Sequence, residues 1–348
     1  MILNYNIHNL FKFKVVSSNK GFLSYIDREF SFFKTKNVKN PDLIIFINNF
    51  KPDVKNTSIV NHKYFIKKNF LFCEDSYKVV KWKVQIDGIE EKETAVNFYG
   101  NFFSKSFLVS YIIEPLMRFK LEKKGYTFIH SSAISNGEES VLFFACKGVG
   151  KTSTILNLID KGFLYMSDDF TIISNKGIVY SYPTTIHIFG YNIKQCPFLY
   201  KKLPFRNKIN INLKGIILNL SFKYASLPLN INVKDVFSNS EIGNSYPLKE
   251  LIFFVKSTNE KVKFERNYNK EDIVNQIISI NKLETFNFLD YMLSYASIFP
   301  KSDFALHWSR SYKNLMRALD KKQITKITIP TKFSDKILDY ILPRLTHS

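Results

Sequence analysis

The fold turns on one stretch, Val141-Leu142-Phe143-Phe144-Ala145-Cys146-Lys147-Gly148-Val149-Gly150-Lys151-Thr152-Ser153. The apolar run at its start predicts a strand, and the segment from Ser153 to Lys161 predicts a helix, with a glycine-containing loop between them. Glycines let such a loop fold back with its N–H groups pointing inward, which builds an anion nest at a helix N-terminus. This is the pattern of a phosphate-binding loop, or Walker A segment. It nominates Lys147, Gly148, Val149, Gly150, Lys151, Thr152 and Ser153 as nucleotide-binding residues. In that arrangement Lys151 reaches the β- and γ-phosphates of ATP, and the Thr152 hydroxyl ligates Mg²⁺. Ala145 stands where the first glycine is expected, a substitution that requires negative φ there.

Downstream, Tyr165-Met166-Ser167-Asp168-Asp169-Phe170 places two carboxylates at the end of an apolar strand. Adjacent residues of an extended strand point to opposite sides, so one carboxylate can meet a metal while the other faces an acceptor. Their mutual repulsion raises the pKa of one, which suits a base.

Outward from this centre the organisation is readable in coarse terms. Residues 2–98 alternate short apolar runs with Asn, Lys and Pro and predict strands, with one helix over Gly21 to Lys34. Phe107 to Lys124 predicts a helix stopped by Gly125. Asn136-Gly137 predicts a hairpin between two strands. Residues 201–266 read as β-rich and loopy. The chain then turns helical from Glu271, with a strand at Ile324 to Ile329 and a closing helix near Ser334 to Ile341. The expected domains are 1–105, an α+β domain suited to substrate selection, and 106–348, a nucleotide-binding domain with a helical C-terminal part.

At 348 residues with 45% apolar and 23% charged side chains, the chain has globular composition. No apolar run approaches the roughly 18–20 residues a bilayer span needs, and the first 17 residues do not read as a secretory signal. A cytoplasmic location is expected. Cys73, Cys146 and Cys196 have no close pair, which argues against disulfides and zinc and for inert thiols. The net charge of +20 is uneven: +9 over residues 1–125, zero over 126–200 and +8 over 201–270. Such a field attracts polyanions, so RNA stays open as a partner, although Lys- and Asn-rich composition alone produces the same balance.

The series His130-Ser131-Ser132-Ala133, Gly148-Val149-Gly150-Lys151-Thr152, Lys161-Gly162 and Ser167-Asp168-Asp169 resembles the catalytic domain of HPr kinase/phosphorylase. Tyr182-Pro183, and Pro247-Leu248 leading into Leu251 to Val255, extend the likeness, which is good over about 126–190 and looser to 280. The resemblance implies a mixed α/β fold of α+β character, with a β-rich phosphate-binding-loop core shared with phosphoenolpyruvate carboxykinase. It implies ATP and Mg²⁺ as cofactors, Asp168 as general base and Asp169 as a metal ligand beside Thr152. Lys151 would balance charge on the transferred group, and His130 would tune or orient the carboxylates. No counterpart of the glycine-containing signature that serves the protein substrate is found in 200–245, and the N-terminal half differs. The expectation is therefore a kinase acting on a hydroxyl of another acceptor, a small molecule or a protein side chain, with self-assembly left open.

Two other readings accompany it: a nucleotide-binding regulatory protein without transfer, and a kinase or NTPase acting on RNA through its basic surface. Ser131 and Ser132 lack an oxyanion-hole motif, which argues against a hydrolase. Arg206 and Arg266 are candidates to reach nucleotide or acceptor, or else solvated charges, and His187 reads as packing.

Overall fold

His8 and Asn9, both at positive φ (50° and 60°), reverse the chain between β1 (Ile2–Ile7) and β2 (Phe11–Ser17). Two such residues make the turn whose twist matches a right-handed hairpin. In β2 every second residue is buried, which is the mark of a sheet with one face in the core. This is a computed structural model, and it describes residues 1–220, 228–237, 241–258, 261–331 and 336–346.

The chain folds as two compact units, residues 1–127 with 282–314, and residues 128–281 with 315–348. In the first unit, β1 and β2 join β3 (Lys34–Thr35), β4 (Leu43–Ile47), β5 (Ser58–Val60), β6 (Tyr64–Lys67), β7 (Phe70–Tyr77), β8 (Val80–Asp87) and β9 (Thr94–Gly100). The sheet order is β3-β1-β2-β4-β9-β8-β7-β6-β5, with β4 parallel to both β2 and β9. Tyr5, Phe11, Phe13, Phe30 and Phe98 fill its core. Helix α1 (Lys20–Glu29) starts at Asn19, whose side chain accepts from the Gly21 and Phe22 N–H groups. It ends earlier than its sequence suggests, because a 3-10 turn at Ser31–Phe33 leads into β3. The helix expected over Phe107 to Lys124 is a composite of α2 (Lys105–Phe107), a π-helical stretch (Leu108–Ile113) and α3 (Glu114–Lys123). Gly125 at φ 87° follows it, as the sequence requires.

The second unit is built on β10 (Tyr126–Ile129), β11 (Ser131–Ser135), β12 (Ser140–Phe144), β13 (Leu164–Ser167), β14 (Thr171–Ser174) and β15 (Ile178–Tyr180). A two-stranded ribbon of β16 (Ile186–Ile188) and β17 (Leu229–Ile231) stands beside them in sequence, and β18 (Ser245–Ser257), β19 (Lys263–Arg266) and β20 (Gln323–Pro330) complete the sheet. Its path is β10-β14-β15-β18-β12-β11-β13, with β20 parallel to β18 and carrying β19. The fold is mixed, with large sheets and several helices, in agreement with the α+β expectation. The β11–β12 hairpin forms around Asn136 and Gly137, where Asn136 Oδ1 accepts from the Glu138 and Glu139 N–H groups.

The helices of this part are α4 (Lys151–Asp160), α5 (Gly190–Gln195), α6 (Pro197–Lys202), α7 (Phe205–Leu220) and α8 (Val233–Val236). Of the remaining helices, α9 (Lys270–Glu284) and α12 (Lys336–Thr346) also belong mostly or wholly to this unit, whereas α10 (Phe286–Ile298) and most of α11 (Asp303–Ala318) belong to the first. Helix α7 corrects the β-rich reading of 201–266. Ile209-Asn210-Ile211-Asn212-Leu213 alternates like a strand, yet in the helix Ile211 is buried while Ile209 and Leu213 are exposed. Parts of that segment (221–227, 238–240, 259–260) lie outside the described residues, as do Ser334 and Asp335 of the expected closing helix.

Candidate nucleotide-binding site

All five residues of β12 are buried, because β11 flanks the strand on one edge and β18 on the other within a covered sheet. The strand delivers Ala145, which is fully buried and has negative φ, so a methyl group fits where a glycine was expected. Gly148 (φ 74°) and Gly150 (φ 117°) hold the left-handed conformations that turn the loop. No Cβ would clash at Gly148, so backbone conformation rather than space selects glycine there. Helix α4 begins immediately, with no side chain capping its first N–H groups.

Lys151 folds back under the loop. Its Nζ donates to the carbonyls of Ala145 (2.7 Å) and Cys146 (3.3 Å) and lies 3.1 Å from His130 Nε2. An ammonium only donates, so Nε2 accepts and the ring proton sits on Nδ1. His130 is buried between β10 and β11. Its backbone N–H donates to Asn281 Oδ1 at 3.1 Å, while Asn281 Nδ2 donates to Phe128 O at 2.7 Å. The Phe170 ring meets the imidazole edge-on at 5.1 Å.

Asp168 stands at the end of β13, buried, with Oδ1 accepting from Ser132 Oγ at 2.6 Å and Oδ2 from Thr152 Oγ1 at 3.0 Å. Burial first, then the charge of Asp169, pushes its pKa up to about 6. The Ser132 and Thr152 hydroxyls and Lys151 act in the opposite direction. Asp169 takes φ 67° at the centre of a three-residue turn closed by Phe170 N–H donating to Asp168 O at 2.9 Å. The chain therefore leaves the extended form between the two carboxylates. Asp168 goes inward to Thr152, and Asp169 lines a cleft of about 210 Å³ with Lys147, Gly150, Thr152, His187 and Tyr191.

The expected residues Lys147 to Thr152, Asp168, Asp169 and His130 thus share one locality. The Ser153 hydroxyl instead turns away, donating to Gln195 Oε1 (2.6 Å) and accepting from Asn192 Nδ2 (2.9 Å), so it ties α4 to α5. One expectation is corrected. His187 is half-buried and lines the cleft rather than packing in the core. Of the three cysteines, Cys146 on the loop is exposed, whereas Cys73 and Cys196 are buried. Ser132, which the sequence did not read as a nucleophile, donates its hydroxyl to Asp168. Arg206 and Arg266 are exposed and line neither this cleft nor its neighbour.

Sequence reasoning missed Asn281, whose role depends on a contact across 151 positions. It also missed Tyr191, Gln195 and Lys256, which with Val149, Ile329 and Pro330 line a second cleft of about 300 Å³ on the loop. Phe189 and Tyr191 stack at 5.4 Å, an aromatic pair that a search for charged motifs passes over.

No family model and no curated protein matches the chain. Among solved structures it is similar to the Hpr(Ser) kinase/phosphatase from Coxiella burnetii. The alignment covers 63% of this chain and 93% of that one, at 13% identity and a TM-score of 0.29. The resemblance is distant.

Proposed function

We propose that the protein is an ATP- and Mg²⁺-dependent kinase that transfers the γ-phosphoryl group to a hydroxyl. One observation carries the reading: Lys151, Thr152 and Asp168 converge at the N-terminus of α4, behind a loop turned by Gly148 and Gly150. The donor set fits a hard cation. Thr152 donates to Asp168, which leaves its oxygen lone pairs for a metal, and Asp169 offers carboxylate oxygens in the cleft. Among the described residues, no cluster of three or more His, Cys, Asp or Glu could hold an ion alone. Mg²⁺ suits such a site, since it takes one or two carboxylates and completes its shell with phosphate oxygens and water. When bound it neutralises charge on the phosphates.

The chain's own residues do the rest. Backbone N–H groups of the loop and of α4 hold the phosphates, and Lys151 exchanges its loop carbonyls for phosphate oxygens. His130 and Asn281 hold Lys151 at its post. Asp168, with its raised pKa, accepts the proton of the acceptor hydroxyl. Asp169, which lines the cleft with Thr152, would offer its carboxylate to the metal.

The test is transfer from γ-labelled ATP to hydroxyl-bearing small molecules and peptides, with wild type and Asp168→Asn in parallel. The expected result is a labelled product from wild type, with its yield cut about 100-fold or more in the variant while ATP affinity is retained. Equal turnover by the variant would refute the assignment of the base. ATP binding by wild type without any labelled acceptor would favour a regulatory nucleotide-binding protein.

A further inference from the structure

Helix α7 carries apolar residues on two sides. Ile211 is buried in the unit's core, whereas Phe205, Ile209, Leu213 and Ile216 are 79%, 46%, 54% and 54% exposed. At roughly 100° per residue these four fall within an arc of about 80°. Single exposed apolar side chains are ordinary, but four large ones in one stripe form a contact surface.

The charge around the stripe has one sign. Residues 201–216 hold Lys201, Lys202, Arg206, Lys208 and Lys214 and no carboxylate. Lys202 is tied to Asp160, and Lys214 donates to the Pro228 carbonyl on the far side. Arg206 and Lys208 border the stripe on either side, and exposed Lys201 lies before it.

We infer that this outer face of α7 seats on an anionic phospholipid surface. An apolar stripe bordered by cations matches a bilayer interface, where anionic headgroups meet the borders and the acyl boundary receives the side chains. A second copy of the chain is a poorer occupant, because a two-fold contact would bring two sets of like charges together. The contact is peripheral: no helix among the described residues is long and apolar enough to cross a membrane. The inference stands apart from the kinase reading and needs no nucleotide.

The test is flotation of the full-length protein with phosphatidylcholine vesicles, alone or containing about one-third phosphatidylglycerol. Wild type should float with the anionic vesicles and far less with the neutral ones, and binding should weaken at high salt. Phe205→Asp/Leu213→Asp should reduce flotation at least about tenfold, and Leu213→Ser should reduce it less. Arg206→Gln should cost about fivefold on anionic vesicles only. Circular dichroism of each variant should match wild type, since the altered side chains face solvent. Absence of flotation at low salt would overturn the proposal, as would undiminished flotation of the double aspartate variant. Self-association in ultracentrifugation that the aspartates abolish, without lipid binding, would assign the face to a second copy. Stronger binding to polyglutamate than to vesicles would assign it to an acidic protein.

Discussion

Thr152 Oγ1 lies 3.0 Å from Asp168 Oδ2, joining the first turn of α4 to the end of β13 across sixteen residues. This hydrogen bond couples the loop to the carboxylate pair. It orients the Thr152 oxygen toward the cleft and helps to keep Asp168 from titrating still higher. Removing the hydroxyl therefore touches both the metal and the base.

Thr152→Val keeps the shape and loses the oxygen. The variant should need more Mg²⁺ for half-maximal transfer, and its pH–rate inflection should move above that of wild type, because a hydrogen bond favouring the carboxylate is gone. A pH–rate series at two Mg²⁺ concentrations reads both. An unmoved inflection would remove Thr152 from the base's environment.

Transfer by wild type should rise with pH through about 6, as Asp168 ionises. Stability should run the other way. The folded protein holds this proton more tightly than the unfolded chain, whose aspartate titrates near 3.8. The contribution is therefore present below pH 4 and lost as pH climbs through 6, by roughly 2–3 kcal/mol. Asp168→Asn should remove that loss, leaving the variant more stable than wild type at pH 7 by urea titration, and by a smaller margin at pH 4.

Asn281→Ala leaves two buried backbone groups, His130 N–H and Phe128 O, without their side-chain partner. The expected cost is about 1–3 kcal/mol in unfolding free energy. Asn281→Asp should restore the acceptor for His130 but not the donor for Phe128, and so recover only part of it. A neutral Asn281→Ala would mean the His130 strand junction holds itself.

Much of the site was legible because its chemistry is local in sequence. Gly148, Gly150, Lys151 and Thr152 are fixed by the demands of one loop, and their strand and helix carry ordinary apolar patterns. Asp168 and Asp169 announce themselves as adjacent carboxylates, but their divergence depends on the left-handed turn at Asp169, which an extended strand does not suggest. Asn281 and Tyr191 were invisible since nothing near them in sequence marks their use. Helix α7 was misread for a different reason. Its Ile-Asn alternation is exposed on one side and buried on the other, so period two gave a strand where backbone hydrogen bonding gave a helix. In the first unit, alternating burial in β2, β4 and β9 made the strands legible, whereas the order β3-β1-β2-β4-β9-β8-β7-β6-β5 needs pairings that no single segment encodes.

Thermal unfolding with and without ATP and Mg²⁺, run on wild type and Lys151→Ala together, decides whether the loop is a nucleotide site. Ligand at about 100 times its dissociation constant should stabilise wild type by about 2.7 kcal/mol, a shift of several degrees, and leave the variant where it was. Equal shifts in both proteins, or none in wild type at millimolar ATP, would contradict a phosphate-binding role for the Gly148-Val149-Gly150-Lys151 turn.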